Sequence, residues 1–359
     1  MGDTSTTFEL EPRELPEQWS GPLLEVRDLS VTFRSDDGPV HAVDSVSFDV
    51  GVNETLGIVG ESGCGKSVTS MAILGLLPRT ATVTGSVKLR GRELVGLGER
   101  LMQPLRGKSI AMVFQDALAS LNPVFKVGDQ IAEAIRVHED IGDRACRERV
   151  ISLLDLVGIP NPRDRADQYP HEYSGGMRQR AMIAMSIANE PDLLIADEPT
   201  TALDVTIQAQ VLEVMERIQD RTSSSIILIT HDLGVVAGVA DRVLVMYAGK
   251  QVEMAPVDEL FYNPRHPYTR GLLASLPRVD GRRDERLNRI EGQPPSLIAV
   301  PPGCAFHPRC ADRVLPTPCA TEPPELRLVG EGHLSACHFA EDLPPLSTRD
   351  LTADDGGGR

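Results

Sequence analysis

A glycine-rich pattern of eight residues at 60–67, GESGCGKS, constrains the fold of this chain more than any other stretch. Its spacing, G-x-x-x-x-G-K-S, is typical of a phosphate-binding loop, although a glycine-rich turn can match so short a pattern by chance. The apolar run at 54–59 predicts a buried strand before the loop, and residues 68–77 predict a helix after it. That order is the context that the motif requires, so we expect an α/β fold.

The residue types in the loop suit a nucleotide and its magnesium ion. Gly60, Gly63 and Gly65 let the backbone curl so that successive N–H groups point at phosphate oxygens, and the helix N-terminus adds partial positive charge. Lys66 supplies a full charge for the β- and γ-phosphates, and the Ser67 hydroxyl suits Mg²⁺. The predicted nucleotide contacts are Gly60, Glu61, Ser62, Gly63, Cys64, Gly65, Lys66, Ser67 and Val68.

Length and charge set broad limits. At 359 residues the chain is long for one domain, so we expect two domains or one with an appendage. The net charge of −16 argues weakly against a nucleic-acid binder. Residues 1–22 and 341–359 are acidic and poor in large apolar side chains, which predicts mobile tails. We find no apolar run of about 18 residues and no signal peptide, and therefore expect a cytosolic protein with reduced thiols.

Alternating polarity at 24–33 and 43–50, on either side of a turn at 35–38, predicts an antiparallel sheet beside the nucleotide core. Residues 83–89 predict further short strands. Phe33 ends the first strand and can stack on an adenine ring, or it can be an ordinary strand aromatic. His41 is a weaker candidate for the same role.

Polar side chains stand at the ends of three buried strands predicted further along the chain. Gln115 follows the first, Asp197 ends the second with Glu198 directly after it, and His231 follows the third. Ligands of α/β folds bind at such strand ends. The aspartate suits Mg²⁺ and the glutamate an attacking water, whereas Gln115 can reach Mg²⁺ or a γ-phosphate and His231 a γ-phosphate. A surface glutamine and a helix-capping or core histidine are the plainer alternatives.

Helical spacing at 127–157 predicts two helices, and so a helical insertion between core strands. After it, Ser174 can cap a helix, and Gly175 and Gly176 leave bare N–H groups at that helix start. This predicts a second anion site, well separated in sequence from the first. A simply capped helix start is the alternative.

Taken in chain order, these features resemble an ATP-binding-cassette ATPase over about residues 24–255. The matching elements are 60–67 as the Walker A motif, Gln115, 174–179 as the signature (with Met177 where glutamine is common), Asp197 with Glu198, 202–204 as the D-loop, and His231. The resemblance implies a P-loop NTPase (RecA-like) core, an antiparallel β subdomain, a helical insertion subdomain and a small Cys-rich C-terminal extension. The implied divisions are an acidic tail at 1–22, the ATPase domain at 23–255 with its helical subdomain at about 116–190, the extension at 256–340 and a tail at 341–359.

The resemblance also implies that two cassettes sandwich two ATP molecules, each site joining the Walker A of one chain to the signature of the other. The implied cofactor contacts outside the loop are Phe33, Ser174, Gly175, Gly176, Gln179 and Asp204. The implied Mg²⁺ ligands are Ser67, Gln115 and Asp197. The implied catalytic residues are Lys66, Gln115, Glu198 and His231, of which Glu198 polarises the attacking water. Gln115 also links the nucleotide to the helical insertion, where a membrane partner would dock.

Three further stretches, at 119–123, 172–180 and 266–276, resemble dipeptide/oligopeptide importer ATPases. This implies an ATPase at the cytoplasmic face of a bacterial membrane. Its partners would be a second ATPase subunit, two transmembrane permeases and, through them, an extracytoplasmic peptide-binding protein, with no nucleic acid. Nickel importers share much of the pattern. A DNA-acting ATPase would need a long heptad arm, translation-associated relatives usually carry two cassettes, and exporters are usually fused to membrane spans.

Four cysteines crowd into one Pro-rich segment: Cys304, Cys310, Cys319 and Cys337. A reducing cytosol disfavours disulfides, and structural zinc sites usually contain a C-x2–4-C knuckle that this spacing lacks. An iron–sulfur cluster also takes four thiolates and tolerates varied spacing. The resemblance to peptide-importer ATPases favours a [4Fe–4S] cluster, with Zn²⁺ or unligated cysteines as the alternatives. One of the nearby histidines could replace a cysteine.

Overall fold

The structure is a computed structural model, and it describes residues 20–115, 120–201, 204–276 and 290–344. Most of the two predicted tails therefore lies outside the described residues. The same is true of residue 119 in one importer-like stretch and of residues 202 and 203 in the predicted D-loop.

The strands of the described chain are β1 Leu24–Ser35, β2 Gly38–Val50, β3 Thr55–Val59, β4 Ala81–Leu89, β5 Arg92–Glu93, β6 Ile110–Val113, β7 Leu193–Asp197, β8 Ser225–Thr230, β9 Arg242–Tyr247, β10 Lys250–Pro256, β11 Arg327–Gly330 and β12 His333–Ser335.

The α-helices are α1 Lys66–Ile73, α2 Glu99–Met102, α3 Val127–Arg136, α4 Asp143–Leu156, α5 Pro162–Arg165, α6 Gly175–Ser186, α7 Val205–Thr222, α8 Leu233–Val236, α9 Val257–Tyr262 and α10 Pro267–Ala274. Single 3₁₀ turns lie at Pro170–Glu172 and His307–Arg309. Within the described ranges, none of these helices combines the length and the apolar character needed to cross a bilayer.

The chain divides into two compact units, and the first contains Asp49–Thr55 and Lys88–Ile229. Its sheet has the order β8-β7-β6, and all three strands are parallel. Every residue of β7 is buried, as expected for a parallel strand covered on both faces. Helix α3 places Val127, Ile131 and Ile135 four residues apart on its buried face.

The second unit contains Val26–Phe48, Leu56–Val87 and the described residues from Thr230 onward. Its larger sheet has the order β3-β9-β10-β12-β11, in which β3 and β9 are parallel and the later pairs are antiparallel. The buried side chains of Glu253 on β10 and His333 on β12 hydrogen-bond at 2.7 Å. Strands from the Cys-rich region therefore extend the sheet that carries the glycine-rich loop.

The second unit also holds β1 between β2 and β4. A two-residue turn joins β1 to β2, so these strands are antiparallel as predicted. Phe33 lies two residues inside the end of β1, so the prediction that it ends the strand is wrong.

The short strands predicted at 83–89 form the single strand β4, in which Gly85 allows a close approach to β1. A Cβ there would lie 2.4 Å from the carbonyl oxygen of Asp28.

Candidate functional site

The glycine-rich loop of the second unit connects β3 to α1, and two of its glycines are required by contact. A Cβ on Gly60 would lie 2.3 Å from the carbonyl oxygen of Met246. Gly65 has a φ of 107°, and a Cβ there would lie 2.4 Å from the carbonyl oxygen of Ala42. Gly63, with a φ of 78°, has open space around it. Backbone carbonyl groups of other segments therefore lie so close to both ends of the loop that no side chain fits there.

Lys66 is the first residue of α1, and its side chain points back over the loop. The residue is only 5% exposed. Its Nζ donates hydrogen bonds to the carbonyl oxygens of Gly60 at 2.7 Å and Glu61 at 3.1 Å. The helix has no side-chain cap at Gly65, so its first-turn N–H groups point out of the helix end without a capping side chain. The loop thus combines an ammonium group with backbone donors, which suits a polyphosphate.

Cys64 is buried within the loop. Burial raises the pKa of its thiol, while the charge of Lys66 acts in the opposite direction. The neutral thiol packs where a Cβ of Gly60 would otherwise lie, 2.7 Å away. These surroundings indicate a packing role for the Cys64 side chain rather than a nucleophile.

The other candidates of the second unit are Phe33, His41 and His231. Phe33 is partly exposed on β1, and the His41 ring lies 3.1 Å from the Thr32 hydroxyl. His231 is an exposed residue directly after β8. The cap of α8 is Asp232, whose carboxylate accepts the N–H of Gly234, so His231 does not cap that helix.

In the first unit, Asp197 is the last residue of β7 and is 3% exposed. Glu198 follows it with a left-handed φ of 47°, and its N–H donates to the carbonyl oxygen of Ile229. Its Oε2 accepts hydrogen bonds from Gln115 Nε2 at 2.9 Å and from Thr201 Oγ1 at 2.8 Å. The fold therefore brings together two predicted residues that are 83 positions apart, and it adds Thr201, which the sequence analysis did not identify.

The predicted second anion site of the first unit is the start of α6. The Ser174 hydroxyl accepts the N–H of Met177 at 3.3 Å, so it caps the helix as predicted. Gly175 is exposed, with open space where a Cβ would be, whereas a Cβ on Gly176 would lie 2.7 Å from Ile207 Cγ2. The start of α6 is thus an exposed helix end that packs against α7 at Gly176.

Two further residues were predicted to contact the nucleotide, one on α6 itself and one at the start of α7. Gln179, on α6, is 5% exposed, and its amide nitrogen has no hydrogen-bond partner within the described parts of the chain. Asp204 is the N-cap of α7, and its Oδ1 accepts the N–H of Ile207 at 3.0 Å. Asp204 therefore has a local structural role, and Gln179 retains hydrogen-bonding capacity.

The four C-terminal cysteines line one small cavity of the second unit, together with His307 and His338. None is in a disulfide. The pKa of the thiol is raised to about 12 for Cys310 and to about 11 for Cys337, chiefly by burial and in smaller part by the neighbouring thiols. Over the described ranges, no three His, Cys, Asp or Glu side chains meet closely enough to share one metal ion. The fold thus places the four thiols around one cavity, but not around a position where a single metal ion could bind three of these side chains.

The HPY stretch at 266–268 reaches the glycine-rich loop, a link that the sequence analysis missed. Burial lowers the pKa of His266 to about 3, so its imidazole is neutral, and Nδ1 accepts the N–H of Tyr268 at 3.1 Å. The Tyr268 hydroxyl in turn accepts the N–H of Glu61 at 2.9 Å.

Arg309 is the second residue that the sequence analysis missed, and its guanidinium forms an ion pair with Glu61. The signal that could have found it is the acidic residue itself. A carboxylate inside a loop built for an anion needs a counter-charge, although nothing in the sequence says where along the chain that charge lies.

Two protein-family models match the chain in separate regions. The model described as "ABC transporter" matches residues 43–201, which include the glycine-rich loop, Gln115, Ser174 and Glu198. The model described as "Oligopeptide/dipeptide transporter, C-terminal region" matches residues 252–315, which include the HPY stretch and Arg309.

Curated relatives and a solved structure are also similar to this chain. It is 54% identical over 331 residues to the oligopeptide transport ATP-binding protein OppD of Mycobacterium tuberculosis, covering 92% of this chain and 54% of that protein. The chain thus spans about half the length of that relative. It is 55% identical over 295 residues to the dipeptide transport ATP-binding protein DppD of Bacillus subtilis, covering 82% and 88% of the two chains. A dimeric ATP-binding cassette with ADP and Pi matches with a TM-score of 0.59 at 22% identity, over 65% of this chain and 98% of that one, which shows a common fold.

Proposed function

Because the chain belongs to the ABC transporter ATP-binding proteins of the oligopeptide/dipeptide type, we propose that it is the ATP-hydrolysing subunit of an importer of dipeptides or oligopeptides. The observation that carries this proposal is the glycine-rich loop, where a buried ammonium group and uncapped backbone donors converge. That loop lies on a chain whose C-terminal region matches the peptide-transporter model.

In this proposal, the loop at 60–67 binds the phosphates of ATP. The Lys66 ammonium exchanges its bonds to the Gly60 and Glu61 carbonyls for bonds to the β- and γ-phosphates. The Ser67 hydroxyl and the Asp197 carboxylate hold Mg²⁺, which neutralises phosphate charge when it is bound. The assignment of Asp197 is supported by its position at the buried end of β7, because ligands of α/β folds bind at strand ends.

Glu198 is the group that orients and polarises the attacking water. Its two hydrogen bonds, from Gln115 and Thr201, fix the direction of the carboxylate before any substrate arrives. A left-handed φ costs a non-glycine residue about 1–2 kcal/mol, and such strain is retained where the direction of a side chain matters. His231 contacts the γ-phosphate, and Gln115 reports nucleotide binding to the helical insertion.

The ATP site is completed by a second ATPase subunit, which is a copy or a related chain. Ser174, Gly175 and Gly176 face the γ-phosphate bound by that partner, and Gln179 and Asp204 support the same surface. The exposed start of α6 supports this proposal, since Ser174 and Gly175 are both open to solvent at a helix N-terminus. Phe33, partly exposed on β1, stacks on the adenine ring.

Two transmembrane permeases provide the path for the peptide, and an extracytoplasmic binding protein delivers it to them. The chain would then sit at the cytoplasmic face of the membrane as a peripheral subunit. Residues 23–255 form the ATPase domain in this scheme, and residues 256–340 form the C-terminal extension. The match of the C-terminal region to the peptide-transporter model supports the choice of peptides as substrates.

Cys304, Cys310, Cys319 and Cys337 would hold a [4Fe–4S] cluster. Four thiols around one cavity fit the donor set of such a cluster, which takes one thiolate on each of four irons. A single zinc ion needs all its thiolates about 2.3 Å from one point, and no three of the described His, Cys, Asp or Glu side chains meet closely enough to share one ion. Such a cluster would cross-link a Pro-rich segment that has little core of its own. We expect its role to be structural or regulatory.

Replacement of the proposed water-polarising group tests the function. In the assembled transporter, Glu198→Gln should retain ATP binding and lose at least about 100-fold in hydrolysis and in uptake of a labelled oligopeptide. Glu216→Gln makes the same chemical change at an exposed position of α7 and should behave as wild type. Hydrolysis near the wild-type rate in the Glu198→Gln complex would contradict the assignment.

A further inference from the structure

Glu61, the second residue of the glycine-rich loop, is held by an ion pair from the C-terminal region. The Arg309 guanidinium donates two parallel hydrogen bonds to its carboxylate, from Nη1 to Oε2 at 2.6 Å and from Nη2 to Oε1 at 2.9 Å. The Arg309 side chain is 5% exposed, and that of Glu61 is 26% exposed. A bidentate pair of this kind is stronger and more directional than a single charged hydrogen bond.

Arg309 is itself fixed by neighbouring groups. Its Nε donates to the carbonyl oxygen of Glu291 at 3.0 Å. Its Nη1 lies 3.4 Å from the Tyr247 hydroxyl, and its guanidinium carbon lies 5.9 Å from the centre of the Tyr247 ring. The guanidinium therefore cannot leave Glu61 without breaking other contacts, so it acts as a rigid anchor.

The backbone of Glu61 is a junction as well. Its N–H donates to the Tyr268 hydroxyl at 2.9 Å, and its carbonyl oxygen accepts from Lys66 Nζ at 3.1 Å and from the N–H of Cys64 at 3.3 Å. The Tyr268 ring in turn lies 5.3 Å from that of Phe306. The loop, its lysine and the C-terminal segment thus meet at this one residue.

The charge of Glu61 has the wrong sign for a loop that receives a polyphosphate. Arg309 offsets that charge and holds the carboxylate within the protein. Removal of Arg309 would leave a partly buried carboxylate without its partner. That is unfavourable without ATP, because the charge is unpaired, and unfavourable with ATP, because the carboxylate then lies next to the phosphates.

We propose that Arg309 is a positioning residue for ATP binding, which neutralises Glu61 and fixes the glycine-rich loop in the form that accepts phosphates. This inference rests on the proposed function, because it assumes that the loop binds ATP. Arg309 and Phe306 lie in the segment 304–310, which contains Cys304 and Cys310. The same contacts therefore couple ATP binding to the order of that segment, and thermodynamic linkage makes the coupling reciprocal.

A double-mutant cycle on the full chain tests this inference, with ATP affinity as the readout. Arg309→Met should weaken ATP binding by about 10-fold or more, because Glu61 is then unpaired. In a Glu61→Gln background, where there is no carboxylate to neutralise, Arg309→Met should change the affinity by less than about threefold. Arg313→Met is the matched control, since within the described parts of the chain Arg313 donates only to the carbonyl oxygens of Pro308 and Cys310 and not to the glycine-rich loop.

Two further measurements separate positioning from general destabilisation. In the assembled transporter, Arg309→Met should raise the KM for ATP and leave kcat at saturating ATP within about twofold of wild type. ATP should slow hydrogen exchange of residues 304–310 in the wild-type chain, and Arg309→Met should remove that protection.

Lys66→Ala distinguishes the two levels of the proposal. If Lys66→Ala retains ATP, the loop is not the nucleotide site and the proposed function fails. If Lys66→Ala loses ATP but Arg309→Met binds it as wild type, only this inference is overturned. An equal loss for Arg309→Met in the Glu61→Gln background would also overturn it, because the effect would not pass through Glu61.

Discussion

Two helices of this protein start at a glycine-containing turn that can face an anion, and they are built in opposite ways. Helix α1 follows Gly65, whose φ is 107°, has no side-chain cap and carries the buried Lys66 in its first position. Helix α6 follows Ser174, whose hydroxyl caps it, and has the exposed Gly175 in its first position. The first start is enclosed by its own unit, and the second is open to solvent.

The two helix starts differ in how much of an anion site each helix supplies by itself. The α1 start has an ammonium group and a backbone shaped by surrounding carbonyls, so it is complete before a ligand arrives. The α6 start has no acidic residue in its first turn, and the nearby Arg178 donates to the carbonyl oxygen of Pro170, so the helix start itself offers backbone dipole and a hydroxyl. Such a site is weak alone and becomes effective when another surface presents the anion to it.

The largest expected effect comes from blocking the open helix start. In the assembled transporter, Ser174→Arg should reduce ATP hydrolysis by more than about 100-fold, because the side chain would occupy the surface that meets the partner's nucleotide. ATP affinity of the isolated chain should stay within about twofold. Ser296→Arg is the matched control, since Ser296 is also exposed and also accepts a backbone N–H. A large loss of affinity in the isolated Ser174→Arg chain would contradict the difference drawn between the two helix starts.

Next in size is the enclosed helix start. Gly65→Ala should lower the free energy of unfolding by about 2 kcal/mol and weaken ATP binding, because the left-handed φ and the Ala42 carbonyl both disfavour a methyl group. Gly63→Ala also has a positive φ but has open space, so we expect a loss of only about 1 kcal/mol. Urea unfolding and ATP titration check both variants, and equal losses would show that contact with neighbouring backbone is not the constraint.

A smaller effect is expected where α6 packs against α7. Gly176→Ala should cost about 1–2 kcal/mol, because the new methyl group would lie 2.7 Å from Cγ2 of the Ile207 side chain, which must then shift. Ile207→Ala would remove Cγ2 and make room, so Gly176→Ala should cost less in that background. Urea unfolding of the four chains of this cycle measures the coupling, and strictly additive losses would exclude it.

The smallest effect should have the opposite sign. Gly175→Ala should raise the free energy of unfolding by about 0.5 kcal/mol, because the position is helical, exposed and surrounded by open space. Chemical denaturation checks the sign. A destabilisation comparable to that of Gly65→Ala would mean that the α6 start is as enclosed as the α1 start.

The fold class and the family were predictable from the sequence because their signals are local, and both predictions are confirmed. The loop lies directly between a buried apolar strand and a helix, and the capping Ser174 lies three residues before Met177, whose N–H its hydroxyl accepts. Each of these features is decided by neighbours in the chain, so periodicity and residue type are sufficient to find it.

The long-range parts of the candidate site were not predictable in the same way. Arg309 lies 248 positions from Glu61, and Tyr268 lies 207 positions from it. Strands β11 and β12 are four and three residues long, too short for an alternating pattern to be recognised. The meeting of the C-terminal segment with the glycine-rich loop depends on how those strands join the sheet, and a single sequence does not specify that pairing.

The pairing of β12 with β10 has a consequence for the way the chain is synthesised. His333 emerges from the ribosome 80 residues after Glu253, its buried partner. During that interval, the edge of β10 that later pairs with β12 presents unpaired backbone groups, and the Glu253 carboxylate lacks the His333 imidazole. Nascent chains on neighbouring ribosomes could pair through that edge, so the period before β12 emerges is when we expect chaperones to be needed most.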